Sequence, residues 1–242
     1  MMAKQFEPHE IIWTKEKVSR MWDYFSSSKA YLNISFSQVL GDSVINFVRQ
    51  HKIPFEGRIL DYGCGTGALL EKLLARGISC EGAEFSSNYI EIVNSRFKDN
   101  PLFNGIELLN GLPTPYKDNT FGMIFLNDVI EHLLPDELEN TIQEIYRILK
   151  PGGFFIITTP NQEPLDPNKV MCPECGCIFH RGQHIRIWEA ATLQPFMESC
   201  HYQTIICQST TFRPKSKLTF LRAFYGKLRQ EKDTNLIYIG RK

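Results

Sequence analysis

Three clusters in this chain combine residue types and spacings that can do chemistry. The first runs Ile59-Leu60-Asp61-Tyr62-Gly63-Cys64-Gly65-Thr66-Gly67-Ala68, an apolar stretch ending in an acid and then in alternate glycines. Residues without a Cβ tolerate positive φ and let a ligand lie against the backbone. This turn therefore reads as the seat of a nucleotide-like cofactor. The second cluster is Asp128-Val129-Ile130-Glu131-His132. Its two acids and imidazole stand at i, i+3 and i+4, and would share one face if the turn were helical. His132 is the first choice for a general base, because imidazole titrates near neutral pH. The bland alternative is that Glu131 and His132 brace the loop. The third cluster places Cys172, Cys175, His180 and His184 at C-x2-C-x4-H-x3-H spacing. A Cys-Pro-x-Cys-Gly turn aims two thiolates at one point, and two imidazoles four residues apart can close a tetrahedron around a structural zinc. Cys177 leaves the ligand choice ambiguous, a metal-free lid over the substrate explains the same residues, and redox use is a third reading.

These clusters need elements to position them. The chain alternates from residue 58 onward, with strands expected at 58–62, 79–84, 106–109, 121–127 and 154–159 and helices at 67–76, 88–97 and 136–149. Strands separated by helices of this length imply βαβ units and a parallel sheet with right-handed crossovers. Pro151-Gly152-Gly153 should stop the helix and start the fifth strand. Residues 160–184 break the rhythm as an insertion. A helix at 189–200 and strands at 204–209 and 235–239 follow. Residues 1–52 read as a mostly helical cap with Thr14 as an N-cap, a second helix over 36–47 and a loop at Ser26-Ser27-Ser28 between them. The aromatics Trp13, Trp22, Tyr24, Phe25, Tyr31 and Phe36 are dense there. Packing the cap onto the core is the simpler explanation for them, and lining a substrate pocket is the alternative. The division expected is thus 1–52 as cap and 53–242 as catalytic domain, with the Cys/His insertion at 160–184.

Composition narrows the function classes. Lys+Arg and Asp+Glu are each 27 of 242 residues, and this neutral balance disfavours a general nucleic-acid binder. No run approaches the length of a membrane span, and the first residues lack the apolar core of a signal peptide. Seven cysteines, an odd number, suit reduced thiols better than a disulfide framework. The expected setting is cytoplasmic. Basic residues of 215–229 interleave with Leu218, Phe220, Leu221, Phe224 and Tyr225. Such a helix is either an ordinary crossover with a basic solvent face or a peripheral contact for an anionic membrane or substrate.

The glycine turn alone leaves two cofactors open. Gly63, Gly65 and Ala68 also satisfy a dinucleotide fingerprint, and Glu84 at the next strand end can accept bonds from ribose hydroxyls of either ligand. Asp61 before the glycines would repel a bare pyrophosphate and suits a positively charged ligand such as S-adenosylmethionine. Downstream, Asn110-Gly111-Leu112, the stretch from Thr114 to Phe121, Asp128 to His132, and Leu149 to Gly153 occur in order. With these motifs the chain resembles the class I S-adenosylmethionine-dependent methyltransferases, in particular the broad group that includes the ubiquinone-pathway O-methyltransferases. The resemblance covers 57–160 strongly and the rest loosely.

That resemblance implies an α/β, Rossmann-like doubly wound fold: a mostly parallel seven-stranded sheet, helices on both faces, and the last strand antiparallel. It places the methionine half of the cofactor on Asp61, Gly63, Cys64, Gly65 and Gly67, the ribose on Glu84, and the adenine beside Phe85, Asn110, Gly111 and Leu112. Asn127 and Asp128 would face the cofactor and the transfer site. Asn110 departs from the family's usual Asp but can still accept a bond from the adenine amino group. Gly122 replaces a common Asp, and nothing in the sequence accounts for that. The family's acid-x-x-Glu-His pattern implies a divalent cation at Asp128, Glu131 and His132, and His184 falls where such enzymes carry a substrate-facing histidine. The expected reaction is methyl transfer to an oxygen, or less readily a nitrogen, of a small-molecule acceptor. The alternatives are protein or RNA methylation, a cofactor-binding partner protein without turnover, and an NAD-dependent oxidoreductase.

Overall fold

In the computed structural model, residues 6–28, 30, 35–213 and 233–242 are described. The chain begins with the short strand β1 (His9–Glu10) and helices α1 (Lys15–Ser27) and α2 (Phe36–Gln50). Thr14 caps α1 as expected, its hydroxyl accepting the Lys17 N–H at 3.3 Å. Ser26 and Ser27 are the last turn of that helix instead of a loop, and Ser26 is buried. Its hydroxyl donates to the Asp23 carbonyl at 2.9 Å and accepts from Asn88 at 3.1 Å, which lets polar residues continue the helix.

The alternating region follows: β2 (Ile59–Tyr62), α3 (Ala68–Leu74), β3 (Cys80–Glu84), α4 (Ser87–Phe97), β4 (Phe103–Leu108), β5 (Phe121–Asn127), α5 (Pro135–Ile148) and β6 (Leu149–Pro160). An insertion carries the hairpin β7 (Lys169–Met171) and β8 (Cys177–His180). After it come α6 (Ala190–Ser199), β9 (Gln203–Thr210) and β10 (Asn235–Arg241). The seven-stranded sheet has the order β4-β3-β2-β5-β6-β10-β9. Pairings are parallel from β4 to β6, and β10 is antiparallel to both its neighbours. This is the expected doubly wound sheet. Its order reverses at β2 and β5, and the crevice beyond the carboxyl ends of such strands is where open α/β sheets bind ligands.

Nearly continuous apolar strands divide their side chains between two faces, because successive residues point oppositely. Ile59, Met123, Phe125, Ile156, Ile237 and Ile239 join Val44, Ile45 and Val48 of α2 and Leu69, Leu70 and Leu73 of α3 in one core. Leu60, Ile124, Leu126, Phe155, Ile157, Leu236 and Tyr238 meet Ile142 and Ile145 of α5 and Leu193 and Met197 of α6 in the other. Helix α2 thus belongs to the helical layer of the sheet.

Three elements differ from expectation. Strand β6 starts at Leu149, before the Pro-Gly-Gly stop, because Gly152 adopts φ 78 and lets the strand bend without ending. Strand β4 starts at Phe103, three residues early. The insertion builds a small sheet of order β1-β8-β7, in which His9 pairs with Cys177 and Lys169 with His180. The basic segment 215–229 lies outside the described residues. No helix among the described residues is long and apolar enough to cross a membrane.

Candidate active site

The glycine turn is built as its composition demands. Gly63, Gly65 and Gly67 have φ 74, 51 and 76, and Gly67 caps α3. The N–H groups of Gly63 and Cys64 donate to the Ala83 carbonyl at 2.8 and 3.2 Å, folding the turn against the end of β3. A Cβ on Gly65 would meet nothing within 4 Å, so open space lies in front of that backbone. Glu84 accepts the Gly65 N–H at 2.8 Å on one carboxyl oxygen and the Phe85 and Ser86 N–H groups at 2.7 and 3.3 Å on the other. It therefore locks the two loops together, with lone pairs left for a ribose hydroxyl. Asp61 is buried, and its Oδ2 has no hydrogen-bond partner. Burial, with a smaller contribution from Glu84, pushes its carboxyl up to about 8. A buried acid in that state is completed by a cationic donor, so this cradle fits the ammonium of S-adenosylmethionine. Phe85 and Leu112 remain about half exposed, and Gly111 takes φ 128.

Gly122 now has an explanation. A Cβ there would lie 2.2 Å from the Glu56 carbonyl oxygen and 3.3 Å from the Gly57 Cα. The approach to β2 passes so close that no side chain fits.

A second group of polar side chains gathers beyond the ends of β5 and β6. Asp128 has φ 49, so the segment to His132 is a turn and the expected single helical face does not form. Its carboxylate accepts the Thr158 hydroxyl at 3.1 Å. Burial raises it to about 7, partly offset by that bond. Thr158 also reaches Asn127 Oδ1 at 3.2 Å. Glu131 is almost wholly buried; its Oε2 accepts the Thr159 hydroxyl at 3.0 Å and its Oε1 has no partner. Burial and the nearby Asp128 charge push its carboxyl well above the ordinary range.

His132 lies edge-on between the rings of Trp22 at 4.9 Å and His184 at 4.8 Å. Its Nδ1 lies 3.4 Å from the Gln183 carbonyl. Burial, then His184, lowers its pKa to about 3, so the first-choice base is a weak one. Gln183 ties the site to α1, accepting the Trp22 indole N–H at 3.1 Å and donating to the His132 carbonyl at 2.9 Å. On the far side of His184 lie Glu163, which contacts its Nδ1, and the stacked ring of His180 at 4.5 Å.

The metal expectations require correction. Among the described residues, two groups of potential ligands have donor atoms all within 4.8 Å: Glu131 with His132 and His184, and Glu163 with His180 and His184. Neither contains a cysteine. Cys172 closes the hairpin tip by donating its N–H to the Cys177 carbonyl at 2.9 Å, whereas His180 pairs with Lys169 at the opposite end of β7 and β8. The four expected zinc ligands are split by the length of the hairpin. Asp128 likewise turns to Thr158 and leaves the expected cation trio. Thr158, Thr159, Glu163 and Gln183 went unnoticed as site residues; Trp22 was named among the cap aromatics, with lining a pocket as the alternative to packing, and it is the one that meets His132.

The chain has counterparts among known proteins. A family profile described as a methyltransferase domain matches residues 15–205. A mitochondrial ubiquinone biosynthesis O-methyltransferase from Rattus norvegicus is 34% identical over 153 residues, covering 60% of this chain and 43% of that protein. A ubiquinone/menaquinone biosynthesis C-methyltransferase from Desulfotalea psychrophila is 30% identical over 112 residues, 44% of each chain. The chain thus spans less than half the length of these relatives. Among solved structures, a SAM-dependent methyltransferase from Methanosarcina mazei superposes with a TM-score of 0.60 at 16% identity, covering 81% of this chain and 96% of that one, which establishes the shared fold.

Proposed function

From the premise that the chain belongs to the methyltransferase-domain family and is an S-adenosylmethionine-dependent enzyme, we propose that it methylates an oxygen of a small molecule. The observation that carries this reading is the imidazole wall at the acceptor side, where His132 and His184 meet 4.8 Å apart beside the buried Glu131. A hydroxyl acceptor must lose a proton as it is methylated, and a neighbouring base assists. An amine carries less need of one. The relatives named above act in quinone biosynthesis by their names, which makes phenolic compounds the first acceptors to try.

When bound, S-adenosylmethionine supplies a methyl group on a sulfonium centre that is already electrophilic. The chain's residues do the rest by positioning. Asp61 accepts the ammonium, and Gly63, Gly65 and Gly67 leave room for the methionine half. Glu84 receives the ribose, and Phe85, Asn110, Gly111 and Leu112 border the adenine. Asn127 and Asp128, at the end of β5, face the transfer point. His132, held neutral by burial, shapes the acceptor chamber, and His184 takes the proton. No step is assigned to a cation, because this reading uses His184, the third potential ligand beside Glu131 and His132, as the proton acceptor.

The test is calorimetry with S-adenosylhomocysteine, followed by turnover against a panel of phenols, alcohols and amines with product mass spectrometry. Binding at micromolar Kd and an O-methylated product are expected. Methylation confined to nitrogen or carbon would overturn the oxygen assignment.

A further inference from the structure

We propose that Glu163 is the positioning residue that makes His184 the proton acceptor, with His180 bracing Glu163 from the other side. The proposal rests on the oxygen-acceptor reading above. It follows from which ring nitrogens can carry hydrogen. His180 Nδ1 accepts two backbone N–H groups, from Gly182 at 3.2 Å and from His184 at 3.1 Å. A nitrogen that accepts cannot also hold the proton of a neutral ring, so the His180 hydrogen is on Nε2. That Nε2 is buried, has no hydrogen-bond partner and points to Glu163 Oε1 at 3.7 Å.

Glu163 is therefore addressed from several sides. Asn168 donates its amide to Oε1 at 2.9 Å, and the His180 Nε2–H faces the same oxygen. The remaining oxygen, Oε2, contacts His184 Nδ1. A carboxylate can only accept, so His184 holds its hydrogen on Nδ1 and keeps a lone pair on Nε2. A ring nitrogen of His184 lies within 4.8 Å of Glu131 and His132, on the acceptor side. His132 is a poor rival, because its ring is enclosed by Trp22 and His184. A metal on His180 Nε2 is also disfavoured, since it would have to displace the only proton that ring holds.

The step balances. The acceptor O–H proton passes to His184 Nε2 while the oxygen lone pair forms the new O–C bond. The methyl–sulfur bond breaks with its electron pair on sulfur, so the positive charge lost there reappears on the imidazolium. Glu163 lies against that imidazolium and stabilises it, as a carboxylate partner does for a catalytic histidine.

Ring tautomers can be read directly from long-range 1H–15N spectra of the 15N-labelled full chain at mildly alkaline pH, without an acceptor. The wild type should show His184 protonated on Nδ1 and His180 on Nε2. E163Q should keep the His184 tautomer, since an amide oxygen still accepts. E163M should release it to the Nε2–H form and lower kcat by about 10²–10⁴-fold with S-adenosylhomocysteine affinity retained. A wild-type His184 protonated on Nε2 would overturn the proposal, and so would an E163M spectrum and kcat that match the wild type. Should E163M fail to fold, the wild-type spectrum and E163Q decide. Stoichiometric Zn²⁺ that shifts the ring nitrogens of both His180 and His184 would assign the pair to a metal and overturn it too. Expected tautomers alongside methylation confined to nitrogen or carbon would instead sink the oxygen-acceptor reading, and the role of Glu163 with it.

Discussion

On the proposed reading, Asp61 trades stability for binding. Its folded carboxyl titrates near 8, above the ordinary 3.8, because burial disfavours the charge. Protonation therefore favours the folded state, and the stability it contributes is complete below about 4 and lost as pH rises through about 8. We expect D61N to stabilise the free protein by about 2 kcal/mol above pH 8 and by little near pH 4, measurable by denaturant melts across that range. The same substitution should weaken S-adenosylhomocysteine binding by roughly tenfold or more, and calorimetry should show proton release at neutral pH for the wild type alone. An unchanged affinity in D61N would remove Asp61 from the cofactor site. Glu84 and Asp61 could be singled out from the sequence because Asp61 stands just before the glycine turn and Glu84 ends the next strand. Glu163 could not, since its meaning depends on His180 and His184, which only the hairpin brings back to it.

At the scale of elements, the cover of the site joins α1 to the insertion through one side chain. Gln183 is fully buried and bonds both Trp22 and the His132 carbonyl. We expect Q183A to cost about 1–3 kcal/mol and to raise hydrogen exchange in α1 well before the sheet is affected. Uniform exchange across both would mean that the cover and sheet unfold together. The alternating strands and helices from β2 to β6 were legible in the sequence, because short apolar runs alternate there with stretches of helical period. The insertion was legible only as an interruption. Its cysteines and histidines have ligand spacing along the chain, but a hairpin places them at opposite ends, and linear spacing carries no information about that. The pairing of β1 with β8 was equally hidden, since two residues show no periodicity.

For the whole molecule, stability depends on joints that close the sheet. The Gly122 backbone passes the Glu56 carbonyl so tightly that restoring the family's usual aspartate, G122D, should destabilise the fold by about 3 kcal/mol, visible as a lowered Tm. Wild-type stability in G122D would show that the 56–57 segment moves freely. Lys242 closes another joint, its Nζ donating to Asn119 Oδ1 at 2.8 Å and to the Tyr146 and Leu149 carbonyls at 2.7 and 2.8 Å. We expect K242A to cost about 1–2 kcal/mol by leaving those acceptors unpaired, as denaturant unfolding would report. The Trp22–Gln183 contact spans 161 positions of sequence, and this bears on how the chain can be recombined. If the proposed acceptor chamber is right, a crossover anywhere between the two residues inherits one half of it from each parent. Grafting a new acceptor preference would then require exchanging residues 6–28 and the 160–184 insertion together while the cofactor cradle between them is left in place.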